Sequence, residues 1–140
     1  MKKSEVEMEV KDNNMCFVCG KNNPDGLHLV INRDEKSLSA WAETAVPDKF
    51  CGWTGIAHGG ILTTLLDEVM AFATFTHDQR GVTGEISARF EKPVMCGKTI
   101  RIEGHVVSTS GRVSQTEGVI LVDGAVHVRG SAKMVALKTE

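Results

Sequence analysis

One stretch of this sequence reads as helix, and nearly everything else with a period reads as strand. Ile61, Leu62, Leu65, Leu66, Val69, Met70, Phe72 and Ala73 recur at spacings of three and four, the signature of helical packing. The run is apolar nearly all round, so it predicts a buried helix rather than one lying on a surface. It opens after His58-Gly59-Gly60 and is expected to end near His77-Asp78, with Gly81 marking the exit. Strands are expected over 27–32, 37–45, 82–94, 99–108, 113–122 and 125–137, with turns at 33–36, at Ser110-Gly111 and at Asp123-Gly124. In the second of these, Leu38, Ala40 and Ala42 share one face, and the small alanines leave space for something bulky to lie on it. The order β-β-α-β-β-β-β predicts an α+β domain whose antiparallel sheet wraps around one long central helix. A single curled sheet leaves its edge strands open, which invites pairing between copies of the chain.

At 140 residues the chain is long enough for one domain with a real core. We expect residues 1–14, charged and poor in apolar side chains, to be a weakly ordered tail and residues 15–140 to be the domain. A net charge of −2, with no Lys/Arg run exceeding two residues, argues against nucleic acid as the main partner. The opening MKKSEVEMEVKDNN reaches no apolar export segment, and no stretch is apolar for long enough to span a bilayer. The cytoplasm is therefore the expected location. Of four cysteines, Cys16 and Cys19 form a CxxC, while Cys51 and Cys96 stand alone. A structural zinc site usually pairs two such knuckles, and a redox CxxC would sit between strand and helix rather than before the turn Asn23-Pro24-Asp25-Gly26. The expectation is that Cys16 and Cys19 are small loop residues packed on the domain, with no metal bound.

Two places on the helix carry chemistry. Asp67 and Glu68 are its only acids, and a carboxylate in an apolar helix is costly to bury unless it is paired. The alternative is that both project from an exposed edge and are simply solvated. They differ by about 100° around the helix, so only one can face a given site. At the other end, His58-Gly59-Gly60 offers free backbone N–H groups at the positive end of the helix dipole, and glycine lets a ligand come close. That suits a carbonyl oxygen becoming an oxyanion during acyl transfer; the plainer reading makes His58 a capping or loop histidine. Gly59 and Asp67 are eight residues apart, about 12 Å at 1.5 Å per residue. One reacting carbonyl cannot touch both. If two helices lie antiparallel in a dimer, the N-terminus of one sits beside Asp67 of the other.

The segment GWTGIAHGGILTTLLDEVM, with VTGEISARFEKPV downstream, resembles the hot-dog-fold acyl-CoA thioesterase superfamily, in its phenylacetic-acid-pathway (PaaI-type) branch. The opening CFVCGKNNPDGLHL is similar to a stretch common in one bacterial branch, and the resemblance runs from residue 16 to about residue 135. It implies hydrolysis of an acyl- or aryl-CoA thioester, with no cofactor other than the coenzyme A of the substrate. The resemblance further implies that Gly59 donates its N–H to the thioester carbonyl and that His58 shapes the loop. Asp67 would be general base or nucleophile, and Thr83, otherwise an ordinary strand residue, would hold the attacking water. Several relatives place Asn or Gln in the loop before HGG, where this chain has Cys51 and Gly52, which leaves oxyanion stabilisation to backbone groups. Gly60, Glu68, Arg89 and Arg112 are candidate substrate contacts, the arginines for the CoA phosphates, with Lys92 and Lys98 as further candidates. The expected assembly is a homodimer or a dimer of dimers (a homotetramer). A non-catalytic acyl-CoA-binding module is the rival reading. A dehydratase on the same fold would pair its catalytic His differently from His58.

Overall fold

In the computed structural model, residues 9–76 and 79–139 are described. Helix α1 spans Gly59–Ala73, and the strands are β1 (Glu9–Val10), β2 (Asn32–Asp34), β3 (Ser39–Ala45), β4 (Gln79–Phe90), β5 (Thr99–Ser110), β6 (Val113–Val122) and β7 (Ala125–Thr139). The antiparallel sheet runs β4-β7-β6-β5-β3-β2, and β1 adds a short parallel pairing to the end of β7. This is the α+β hot-dog architecture, one sheet curled about one helix.

The helix lies against the sheet because the sheet is hollowed to receive it. Ala40 pairs with Gly104, Gly104 with Gly118, Gly118 with Gly130, and Gly130 with Ala88. Five adjacent strands thus present almost no side chain at one level. A Cβ at Gly104 would stand 3.2 Å from the Met70 Cα, and one at Gly118 would stand 3.1 Å from the Met70 side chain and 3.2 Å from Leu66. The helix fills this trough with Leu62, Leu65, Leu66, Val69, Met70 and Ala73, all buried. Ile100, Ile102, Ile120, Val128 and Met134 from the strands close the core around it. The small face expected on β3 is the same trough, with Ala40 and Ala42 buried against the helix.

Several boundaries differ from expectation for local reasons. The segment 27–31 is not a strand: the N–H groups of Leu27 and Leu29 go to the carbonyls of Phe17 and Val18, so the apolar alternation there serves a docked loop. Only Asn32–Asp34 pairs with β3, and the turn occupies 35–38, with Leu38 in the left-handed region at φ 50°. The helix ends at Ala73, earlier than expected, because Thr74 returns its hydroxyl to the Ala71 carbonyl and Thr76 donates to Gln79 at the start of β4. His77 and Asp78, where the end was expected, lie outside the described residues, as do residues 1–8 of the expected tail. Strand β4 starts at Gln79 and stops at Phe90, before Pro93, which has no N–H to give a ladder. The Asp123-Gly124 hairpin is as expected, both residues taking positive φ (51° and 80°).

Candidate active site

The N-terminus of α1 is held open by its own cap. His58 is extended (ψ 133°) and its Nδ1 accepts the Gly60 N–H at 2.9 Å, while its carbonyl accepts from Ile61 and Leu62. Of the first helical donors, Gly59 N–H alone has no acceptor among the described residues. Histidine at this position therefore acts as the cap, and by occupying the next N–H it leaves the Gly59 donor as the free one. The loop ahead of it is rigid: Gly52 N–H bonds the Ile56 carbonyl, His58 N–H the Phe50 carbonyl, and Ala57 N–H the Val94 carbonyl. These elements wall a groove of about 530 Å³ lined by Trp53, His58, Gly59, Leu62, Phe90 and Lys92, among others. A Cβ at Gly59 would already touch the Phe90 ring at 3.4 Å, so the ring lies against the α-carbon of Gly59 at the helix start.

Two turns along the helix, Asp67 is half-buried. Thr83 donates its hydroxyl to Asp67 Oδ1 at 2.5 Å, and no protein donor among the described residues reaches Oδ2. The contact depends on an irregularity in β4. Thr83 pairs with Met134 and Glu85 with Lys133, leaving Gly84 as an extra residue; a bulge of this kind re-aims the neighbouring side chain. Asp67 and Thr83 are thus brought together, whereas Gly59 sits at the far end of the same helix, about 12 Å away by helical rise.

Glu68 has a different neighbourhood. Cys16 donates its thiol to Glu68 Oε2 at 3.2 Å, and burial, then the Glu68 carboxylate beside it, push the Cys19 thiol above its ordinary range. The CxxC loop therefore packs on the helix turn that carries both acids. Gly60 is exposed but its N–H is spent on the His58 cap. Arg89, near the end of β4, and Arg112, in the β5–β6 turn, are both exposed. Arg112 accepts at its carbonyl from Ala136, which pairs with Gly81, while Arg89 pairs with Arg129. The two arginines lie towards opposite ends of β4, roughly 25 Å apart at 3.3 Å per residue. Lys92 lines the groove, and Lys98 pairs with Asp123 at 3.1 Å. Sequence reasoning did not single out Phe90 or Trp53 as groove walls, nor Glu68 as a partner of the CxxC. Only the glycine after Cys19 hinted at a tightly wound loop.

A family model described as the thioesterase superfamily matches residues 54–125, just over half of the chain. An uncharacterized protein of Schizosaccharomyces pombe is 35% identical over 77 residues, 49% of this chain and 44% of its own. Among solved structures, a thioesterase superfamily protein superposes with TM-score 0.77 at 25% identity, over 87% of this chain and 60% of its own. The chain thus spans less than two thirds of the length of either protein. A hypothetical thioesterase of Streptococcus pneumoniae, solved with coenzyme A, gives TM-score 0.71 at 22% identity over 80% of this chain and 91% of its own. Its variants with alanine at an aspartate and at a threonine sixteen positions further on have also been solved. The PaaI protein of the Escherichia coli phenylacetic acid degradation operon gives TM-score 0.69 at 17% identity, over 74% of this chain and 78% of its own.

Proposed function

The chain belongs to the thioesterase superfamily, and from that premise we propose that it hydrolyses an acyl- or aryl-CoA thioester to free acid and CoA in a site shared by two copies. The observation that carries this reading is the division of labour along α1: an unpaired N–H at Gly59 and a threonine-held carboxylate at Asp67. The thioester carbonyl lies against Gly59 N–H, where the helix dipole and the donor stabilise negative charge as it develops on oxygen. Asp67 of the second copy, steadied by Thr83, takes a proton from water as the water attacks the carbonyl carbon. The C–S bond then breaks, the free acid is released and the proton passes to the leaving CoA sulfur. Alternatively Asp67 attacks directly, and the C–S bond breaks to give CoA thiolate and an acyl–Asp67 anhydride. Water then hydrolyses the anhydride to free acid and Asp67, with its proton going to the sulfur. A structure of the Streptococcus pneumoniae protein with coenzyme A, and variants made at an aspartate and a threonine with the spacing of Asp67 and Thr83, support this reading. The PaaI-like fold supports an aryl group among the substrates to be tried first.

Release of free thiol from a panel of acyl- and aryl-CoAs tests the function. Asp67→Asn is expected to lower kcat by at least about 10², the scale of a lost acid–base group, while Glu68→Gln keeps turnover within the same range as the parent. Loss in Glu68→Gln with Asp67→Asn still active would reverse the assignment. Isotope from labelled water appearing on Asp67 after one turnover would identify it as nucleophile rather than base. A non-catalytic acyl-CoA module is the second reading: where the family resemblance places Asn or Gln in several relatives, this chain has Cys51 and Gly52, which leaves only backbone groups to stabilise an oxyanion. Tight binding of the whole panel with no thiol released would decide for it. No helix among the described residues is long and apolar enough to cross a membrane, and a cytoplasmic homodimer or dimer of dimers fits the proposal.

A further inference from the structure

The CxxC loop is built with more constraint than packing requires. Cys16 Sγ, Cys19 Sγ and a Glu68 carboxylate oxygen lie within 4.8 Å of one another, all three residues half-buried. Val18 directs its N–H to Cys16 Sγ at 3.4 Å, the type of contact that steadies a metal-bound thiolate from outside its coordination shell. Gly20 donates to the Cys16 carbonyl at 2.9 Å, and a Cβ at Gly20 would lie 2.3 Å from the Cys16 nitrogen, so the turn admits no side chain there. On its other flank the loop is tied down by Leu27 and Leu29, which donate to the two residues between the cysteines. Both sulfurs thereby face the Glu68 carboxylate on α1, and Cys16 already donates to it.

We propose that Cys16, Cys19 and Glu68 form a binding site for one zinc ion. Tetrahedral zinc, with Zn–S bonds of about 2.3 Å and Zn–O of about 2.1 Å, holds its ligand atoms roughly 3.5–3.8 Å apart. The observed cluster needs only small side-chain rotations to reach that spacing. Two thiolates with a carboxylate select zinc over magnesium or calcium, which take oxygen ligands. Binding releases the two thiol protons and leaves two sulfurs and one oxygen on the metal, with no change of oxidation state. The fourth position takes a water molecule. Counting cysteine pairs in the sequence could not reveal this site, since its third ligand comes from 52 residues downstream of Cys16. The ion would fasten the loop to the helix turn bearing Asp67, with Glu68 engaged on the metal and Asp67 left to Thr83.

The test uses the full chain with zinc and with cobalt as probes. Protein purified from zinc-supplemented medium and passed into metal-free buffer is expected to carry about one zinc per chain. Cobalt added to metal-stripped protein is expected to give a near-ultraviolet thiolate charge-transfer band and intense visible bands of a tetrahedral ion. Cys16→Ser and Cys19→Ser should each abolish the band, and Glu68→Gln should weaken affinity at least about tenfold, while Cys51→Ser and Cys96→Ser leave it intact. The wild-type cobalt spectrum needs no variant to fold. Substoichiometric zinc, cobalt uptake without the charge-transfer band, or a Cys16–Cys19 disulfide in freshly purified protein would each overturn the proposal.

Discussion

At the scale of single residues, the proposed site rests on one backbone donor, at Gly59, and one carboxylate, Asp67, held by a side-chain hydroxyl. Gly59 occupies the first helical position, and His58 before it is extended at φ −63°, ψ 133°, a conformation compatible with a following proline. Gly59→Pro therefore removes the N–H while keeping the helix start, and kcat is expected to fall by about 10² to 10³, as for other lost oxyanion donors. Gly59→Ala keeps the N–H and meets Phe90 at ordinary contact distance, so it should retain most turnover; equal losses in the two variants would remove Gly59 N–H from the mechanism. For Thr83, alanine should cost about tenfold in kcat, the scale of a hydrogen bond to a charged group, and serine should restore it. Steady-state kinetics on the best substrate of the panel, with circular dichroism as a fold check, decides both. Gly59 and Asp67 were legible in the sequence because HGG and the acid mark two places on one helix, whereas Thr83 came only from the family resemblance and by itself reads as an ordinary strand residue. Their contacts were less so. The capping reading of His58 holds, its Nδ1 accepting from Gly60 N–H, but the sequence does not say which N–H the cap takes and so does not single out the Gly59 N–H.

At the scale of elements, what holds α1 in place is the row of missing side chains beneath it. Gly104→Val would push β-branched bulk into the Met70 backbone, which cannot swing aside as a side chain can. It should destabilise the fold by about 1–3 kcal/mol, the usual cost of overpacking. Thermal or urea unfolding should show this, and Gly97→Val, at a turn with open space around it but φ 83°, should cost through backbone strain instead. An unchanged midpoint in Gly104→Val would mean that the trough is not tight. The helix and β5–β7 were readable from their apolar periods, but the trough was not. Gly104, Gly118 and Gly130 become one row only through strand register, and register is a property of pairs that a single strand's pattern does not contain. The segment 27–31 failed for a related reason: its alternation is real, yet its hydrogen bonds go to residues 17–18 rather than to β3. The meeting of Cys16, Cys19 and Glu68 depends on that same docked loop.

At the scale of the molecule, the proposed chemistry requires two chains, and mixing variants tests this directly. Combined in one solution after partial denaturation and refolding, Asp67→Asn and Gly59→Pro chains should regain about a quarter of the wild-type activity, since half the dimers are mixed and one of their two sites is whole. Recovery no greater than the sum of the separate variants would place the whole site within one chain. Of the sheet's two ends, β2 is only three residues long, and the longer open edge is β4, which bonds only β7 among the described strands and exposes Val82, Ile86 and Phe90 along its length. That edge has a consequence for a copy of the proposed dimer before it meets its partner. Such a copy displays a row of open amides and carbonyls beside three oily side chains, a template on which any loose strand can add. Productive pairing and aggregation then start from the same surface.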